Sequence, residues 1–153
     1  MNDKLHLDRK NRPTILIAED DIIYQKLYRT KLNNAGFDVD IADNGLEATI
    51  KYKSNPTKYC IILMDLSMPI MDGYEAVTNI REQGNDILPI IAVTSNVDKA
   101  TRTKCVRAGF NGFIPKPVKL LDLLAQINQW LDNASCEDDQ AEYLEYANTI
   151  LHK

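Results

Sequence analysis

Histidine is nearly missing from this chain: only His6 and His152 occur, both close to an end. A His-based catalytic triad or a His-rich metal centre is thereby set aside. Cysteine offers little more. Cys60, Cys105 and Cys136 are far apart, odd in number and in no CxxC spacing, so buried or idle thiols are expected. No apolar run approaches the roughly 20 residues that cross a bilayer. The opening MNDKLHLDRKNRP is polar with no apolar core, so the expectation is a cytoplasmic chain without membrane contact. Positive charge is outnumbered: 18 Lys and Arg against 22 Asp and Glu leave a formal charge of −4. That balance argues against direct nucleic-acid binding, although Lys99, Arg102, Lys104 and Arg107 form a local basic group.

What remains is ordinary globular material. The 153 residues are 44% hydrophobic and 26% charged, enough for one domain with a real core and some excess. After a polar lead-in, Thr14–Ala18 is a short apolar run, the mark of a strand buried on both faces. A helix is expected from Ile22 to Ala35, with Ile23, Leu27 and Leu32 at helix-compatible spacings and Gly36 as its stop. Residues 37–41 alternate as a half-buried edge strand would. Asn44 caps a helix that ends before Asn55-Pro56. The alternation continues with a strand at 59–64, a helix at 72–83 and a strand at 88–93. A helix at 97–107, a short strand at 112–114 and a helix at 118–131 complete it. Five strand–helix units imply a parallel sheet with helices on both faces. Ligands of such folds sit outside the carboxyl ends of the strands.

Those ends carry the chemistry. Glu19, Asp20 and Asp21 end the first strand, Asp65 the third, Thr94 and Ser95 the fourth, and Lys116 follows the fifth. Clustered carboxylates repel unless a cation compensates. An all-oxygen set with room for water suits Mg²⁺ better than zinc or a full calcium cage. A phosphoryl group there would meet metal, ammonium and hydroxyl together. Asp21 and Asp72 read instead as helix N-caps.

ILIAEDD at 15–21, ILMDLSMPIMDG at 62–73, PIIAVTSN at 89–96 and GFIPKPV at 112–118 resemble the motifs of response-regulator receiver domains. The resemblance spans about residues 14–131, four motifs in order, each at a strand. It implies an α/β, doubly wound, five-stranded parallel sheet of the flavodoxin-like (βα)5 kind, here with an extra C-terminal helix. It implies that Asp65 is the phosphoacceptor, with Mg²⁺ on Asp20, Asp65 and the Ser67 carbonyl, and Glu19 helping through water. Thr94 and Lys116 would contact the phosphoryl oxygens, a cis Lys116-Pro117 bond would aim the lysine, and Phe113 would be the aromatic that changes rotamer on activation. The donor would be a histidine kinase or a histidine phosphotransfer protein, and the downstream protein partner stays open. Glu19 stands where Asp is commoner, which lengthens its arm toward the cation. Two other functions fit part of the pattern. A haloacid-dehalogenase-type enzyme also uses a strand-end Asp with Mg²⁺, but places a second Asp where this chain has Ser67. A receiver-like module that never takes phosphate would not need the acids, Thr94 and Lys116.

The expected division is a flexible extension at 1–13, the receiver domain at 14–132 and a helical extension at 133–153. Ser135-Cys136-Glu137-Asp138 fits a capping box, and Leu144, Ala147 and Leu151 fall on one helix face. Such a helix would pack on its own domain, pair with a second copy as a homodimer, or lead toward a neighbouring domain.

Overall fold

A computed structural model of the chain describes residues 12–133; the expected helix after residue 134 lies outside the described residues. The order is β1 (Thr14–Ala18), α1 (Ile22–Asn34), β2 (Asp38–Ala42), α2 (Gly45–Ser54) and β3 (Tyr59–Asp65). It continues α3 (Gly73–Arg81), β4 (Ile90–Thr94), α4 (Lys99–Ala108), β5 (Gly112–Pro115) and α5 (Leu120–Asn133). The five strands are parallel in the order β2-β1-β3-β4-β5. The expected flavodoxin-like sheet is present, and its order reverses between β1 and β3.

The apolar runs are strands because both of their faces are covered. On one face, Leu16, Ala18, Ile62, Met64, Ile90 and Ala92 pack with Ala48 and Tyr52 of α2, Ala76, Val77 and Ile80 of α3, and Cys105 of α4. On the other, Ile15, Ile17, Ile61, Leu63, Ile91 and Val93 pack with Tyr28 and Leu32 of α1 and Leu123 and Ile127 of α5. Polar caps start the helices: Asp21, Asn44, Asp72 and Asp98 each accept a backbone N–H from the first turn. Asp98 caps α4, which starts at Lys99, two residues later than the expected start at 97. Gly109, at φ 118°, closes α4 in the left-handed conformation that glycine tolerates.

One helix face differs from expectation. Ile23 is 74% and Leu27 40% exposed, while Tyr28 and Leu32 are buried and Tyr24 packs beside them. The nine-residue separation of Ile23 and Leu32, at about 3.6 per turn, puts these two side chains on opposite sides of the helix. The inward stripe is Tyr24, Tyr28 and Leu32, so two phenol rings do the work expected of aliphatic residues.

The end of the lead-in is tied to the sheet. The Arg12 guanidinium donates to the carbonyls of Gly36, Asn33 and Phe37, and Asp38 N–H donates to the Pro13 carbonyl at 3.0 Å. At the far end of the molecule, Arg81 clips α3 to the loops around it. It donates to the carbonyls of Gly109, Asn85 and Leu88 and to Asn111 Oδ1.

Candidate phosphoacceptor site

Parallel strands with right-handed crossovers put every carboxyl end at one edge, and β1 and β3 are neighbours there. Glu19, Asp20 and Asp65 therefore converge, each offering a carboxylate oxygen within 4.8 Å of the others. Glu19 is 2% exposed and has both oxygens engaged. Its Oε1 accepts from Asp21 N–H at 3.1 Å and its Oε2 from Lys116 Nζ at 2.9 Å. Asp20, by contrast, is exposed. Asp65 Oδ1 accepts from Ser67 N–H at 3.2 Å, and Oδ2 from Lys116 Nζ at 3.0 Å.

Lys116 thus lies between two carboxylates. Burial pulls its pKa down, but the hydrogen bonds to Glu19 and Asp65, and their charges, leave it above the ordinary lysine value. Burial lifts Glu19 above the usual carboxylate range, against the lowering effect of Lys116 and Asp21 N–H. The Lys116-Pro117 bond is cis. The ammonium also lies over the Tyr24 ring, 4.6 Å from its centroid.

The site residues divide between the two faces. β4 pairs Asp65 with Val93 and Met64 with Ala92, and β5 pairs Phe113 with Ala92 and Pro115 with Thr94. By strand alternation, Thr94 and Phe113 share the face of α2, α3 and α4, whereas Asp65 shares the face of α1 and α5. Thr94 is buried at 7% exposure, and its Oγ1 accepts from Asn96 N–H at 3.1 Å. Its hydroxyl proton is not used in that bond. Phe113 is half-buried, with the Arg102 guanidinium 4.6 Å from its centroid.

Ser67 is exposed and lines an open cleft of about 500 Å³ with Asp20, Met68, Asp72, Tyr74 and Lys104. The Met71 N–H donates to the Pro69 carbonyl at 2.7 Å, a γ-turn that holds Ile70 at φ 71°. Asp72 caps α3 and Asp21 caps α1, the roles their positions implied. Gly73 does more than turn the chain: a Cβ there would lie 2.3 Å from the Asp65 carbonyl oxygen. Nothing in the sequence singles out Tyr24, whose place beside Lys116 depends on which face α1 turns inward.

The donor set fits a hard divalent cation: all oxygen, anionic, one acid buried and one open to solvent. Glu19 has both oxygens taken by Asp21 N–H and Lys116, whereas Asp20 is open to solvent.

Comparison with known proteins identifies the family. Residues 15–128 match the response regulator receiver domain. Over 121 residues the chain is 40% identical to hybrid signal transduction histidine kinase I of Dictyostelium discoideum, which covers 74% of this chain. The chain spans only 7% of that kinase's length. Among solved structures, the receiver domain of sensor histidine kinase PA1611 from Pseudomonas aeruginosa, with a magnesium ion coordinated in its active-site cleft, is 32% identical. It superposes with a TM-score of 0.73 over 80% of this chain and 99% of that one. The receiver domain of Ssk1 from Saccharomyces cerevisiae, crystallised with the histidine phosphotransfer protein Ypd1, is 27% identical. Its TM-score is 0.76 over 83% of this chain and 94% of that one. The chain belongs to the response regulator receiver domain family of two-component signalling proteins.

Proposed function

We propose that Asp65 accepts a phosphoryl group from a phosphohistidine of a kinase or a histidine phosphotransfer protein. The observation that carries this is Lys116 Nζ held at 2.9 Å from Glu19 and 3.0 Å from Asp65, beside three convergent carboxylates. An Asp65 carboxylate oxygen forms the new P–O bond as the P–N bond of the phosphohistidine breaks, and its electron pair leaves with the imidazole. Lys116 exchanges its bond to Asp65 Oδ2 for one to a phosphoryl oxygen. Thr94, whose Oγ1 is so far only an acceptor, donates its proton to another. Asp20, Asp65 and the Ser67 carbonyl, with Glu19 through water, would hold Mg²⁺. When bound, the cation neutralises the charge gathered on the transferring oxygens. The chain undergoes phosphorylation and its reversal and turns over no separate substrate.

Thr94 and Phe113 share one face, so inward movement of Thr94 toward a phosphoryl group gives Phe113 room to follow. The surface of α4, β5 and the start of α5 then changes for a downstream partner. The donor's docking face is apolar: Ile22, Ile23 and Leu27 on α1 and Ile70 beyond β3 are all exposed near the site. No helix among the described residues is long and apolar enough to cross a membrane, and a cytoplasmic setting suits a phosphohistidine donor. The test is labelling by acetyl phosphate. Wild type should take one phosphoryl group only with Mg²⁺ or Mn²⁺ present, and Asp65→Asn should take none while keeping its fold. Acid-stable labelling that persists in Asp65→Asn contradicts the proposal.

A further inference from the structure

We infer that Tyr24 is a positioning residue for the phosphoryl-transfer reaction, acting through Lys116; the inference rests on Asp65 as the acceptor. Three groups hold the Lys116 ammonium: Glu19 Oε2 at 2.9 Å, Asp65 Oδ2 at 3.0 Å and the Tyr24 ring, whose centroid is 4.6 Å away. The first two are the anions of the site itself. The third belongs to neither the metal-ligand set nor the phosphoryl contacts, and nothing in the chemistry of an acceptor aspartate demands an aromatic there.

The ring has a backing that makes it a fixed wall. Tyr24 stacks on Tyr28 with centroids 6.0 Å apart and planes 28° from parallel. Tyr28 is buried against the sheet face under α1 and α5. The helix that carries Tyr24 is anchored one turn earlier, where Asp21 accepts from Ile23 N–H at 2.8 Å. Swinging the ring away from the ammonium gives up its stack on Tyr28.

Phosphoryl transfer asks something particular of Lys116. It must let go of Asp65 Oδ2 and take a phosphoryl oxygen without leaving the site. Lysine is a point charge on a flexible four-carbon stem, and its competing state is a hydrated ammonium swung into water. A third carboxylate would hold it back, but would also compete with the phosphoryl group for its protons. An aromatic face attracts the cation without consuming an N–H in a directional bond. The ammonium can then slide across the ring from one acceptor to the next. The parity of the strands puts Lys116 on the α1 side of the sheet, where only the α1 and α5 helices pack. Tyr24 is the side chain that α1 brings there.

Two readouts separate this role from plain packing. The first is the Lys116 side chain by NMR in the Mg²⁺-free protein, where the ring current of Tyr24 should shift its ε-methylene protons upfield. Tyr24→Leu should abolish that shift and Tyr24→Phe retain it. The second is the rate of acetyl phosphate labelling. Tyr24→Leu should slow it about fivefold, within the range of a partly desolvated cation–π contact, and Tyr24→Phe should restore most of the rate. In a Lys116→Ala background, Tyr24→Leu should cost nothing further. Tyr24→Met, which fills similar space without a ring, replaces Leu if that variant fails to fold. Lys116 resonances unmoved by loss of the ring overturn the inference, as does equal slowing with and without Lys116. If wild type itself takes no label, the acceptor assignment fails, and the Lys116 resonances still decide the placement of Tyr24.

Discussion

Gly73→Ala should cripple the site from behind, without touching any side chain in it. Gly73 opens α3 and donates its N–H to the Leu66 carbonyl at 2.9 Å. An added Cβ would stand 2.3 Å from the Asp65 carbonyl oxygen, 3.0 Å from Leu66 Cα and 3.2 Å from the Asp65 carbonyl carbon. Ordinary van der Waals contact begins near 3.4 Å, so the end of β3 and the start of α3 must part by about an ångström. Every clashing atom is backbone, and no rotamer relieves it. Overpacking of this kind costs about 3 kcal/mol, while the gain in helix propensity over glycine returns at most about 1 kcal/mol. The net loss of about 2 kcal/mol should lower the melting temperature by several degrees. Because the displaced oxygen is that of Asp65 itself, the carboxylate should also move off Lys116. Urea unfolding followed by circular dichroism measures the first effect, and beryllofluoride binding seen by fluorine NMR the second. Wild-type stability together with wild-type beryllofluoride affinity would refute the reasoning.

Four further outcomes follow from single residues. Asp20→Ala should weaken Mg²⁺ binding strongly without lowering the stability of the metal-free protein, because it removes one of three crowded charges. Asp21→Ala should leave Mg²⁺ binding near wild type and cost about 1 kcal/mol through the lost α1 cap; titration calorimetry and unfolding separate the two. Thr94→Ala should still accept phosphate at Asp65, but beryllofluoride should no longer shift amide resonances across residues 97–120. Burial works to raise Asp40, yet its bonds from Lys58 and Tyr59 hold its pKa below the ordinary 3.8. That stabilisation is complete above the unfolded pKa and lost as pH falls through the folded one. Asp40→Asn should therefore cost about 1 kcal/mol at pH 7, and the difference from wild type should vanish in acid-titrated melts.

The sheet was largely legible in the sequence, because strands covered on both sides read as unbroken apolar runs, as Ile15–Ala18 and Ile61–Met64 do. Charged or hydroxyl residues ending those runs also marked the site edge, since the topology leaves them nowhere else to gather. The inward face of α1 was not legible. Hydrophobicity ranks isoleucine above tyrosine, but burial of Tyr28 rather than Ile23 depends on the room between α1, α5 and the sheet. Neither was the role of Gly73, whose contact with Asp65 is created only when α3 folds back against β3. A glycine before a helix looks the same whether it serves a turn or a close approach. The Arg81 clip, joining four loop and strand-end acceptors as far as 30 residues away, leaves no periodic trace at all.

The central claim is that Asp65 takes the phosphoryl group, and borohydride reduction tests it most directly. An aspartyl phosphate is reduced to homoserine, whereas a free carboxylate is not. After reaction with acetyl phosphate and Mg²⁺ and then borohydride, peptide sequencing by mass spectrometry should find homoserine at position 65 and aspartate intact at 20, 21 and 72. Homoserine at any of those three, or at none of the four while the protein carries label, would contradict the account.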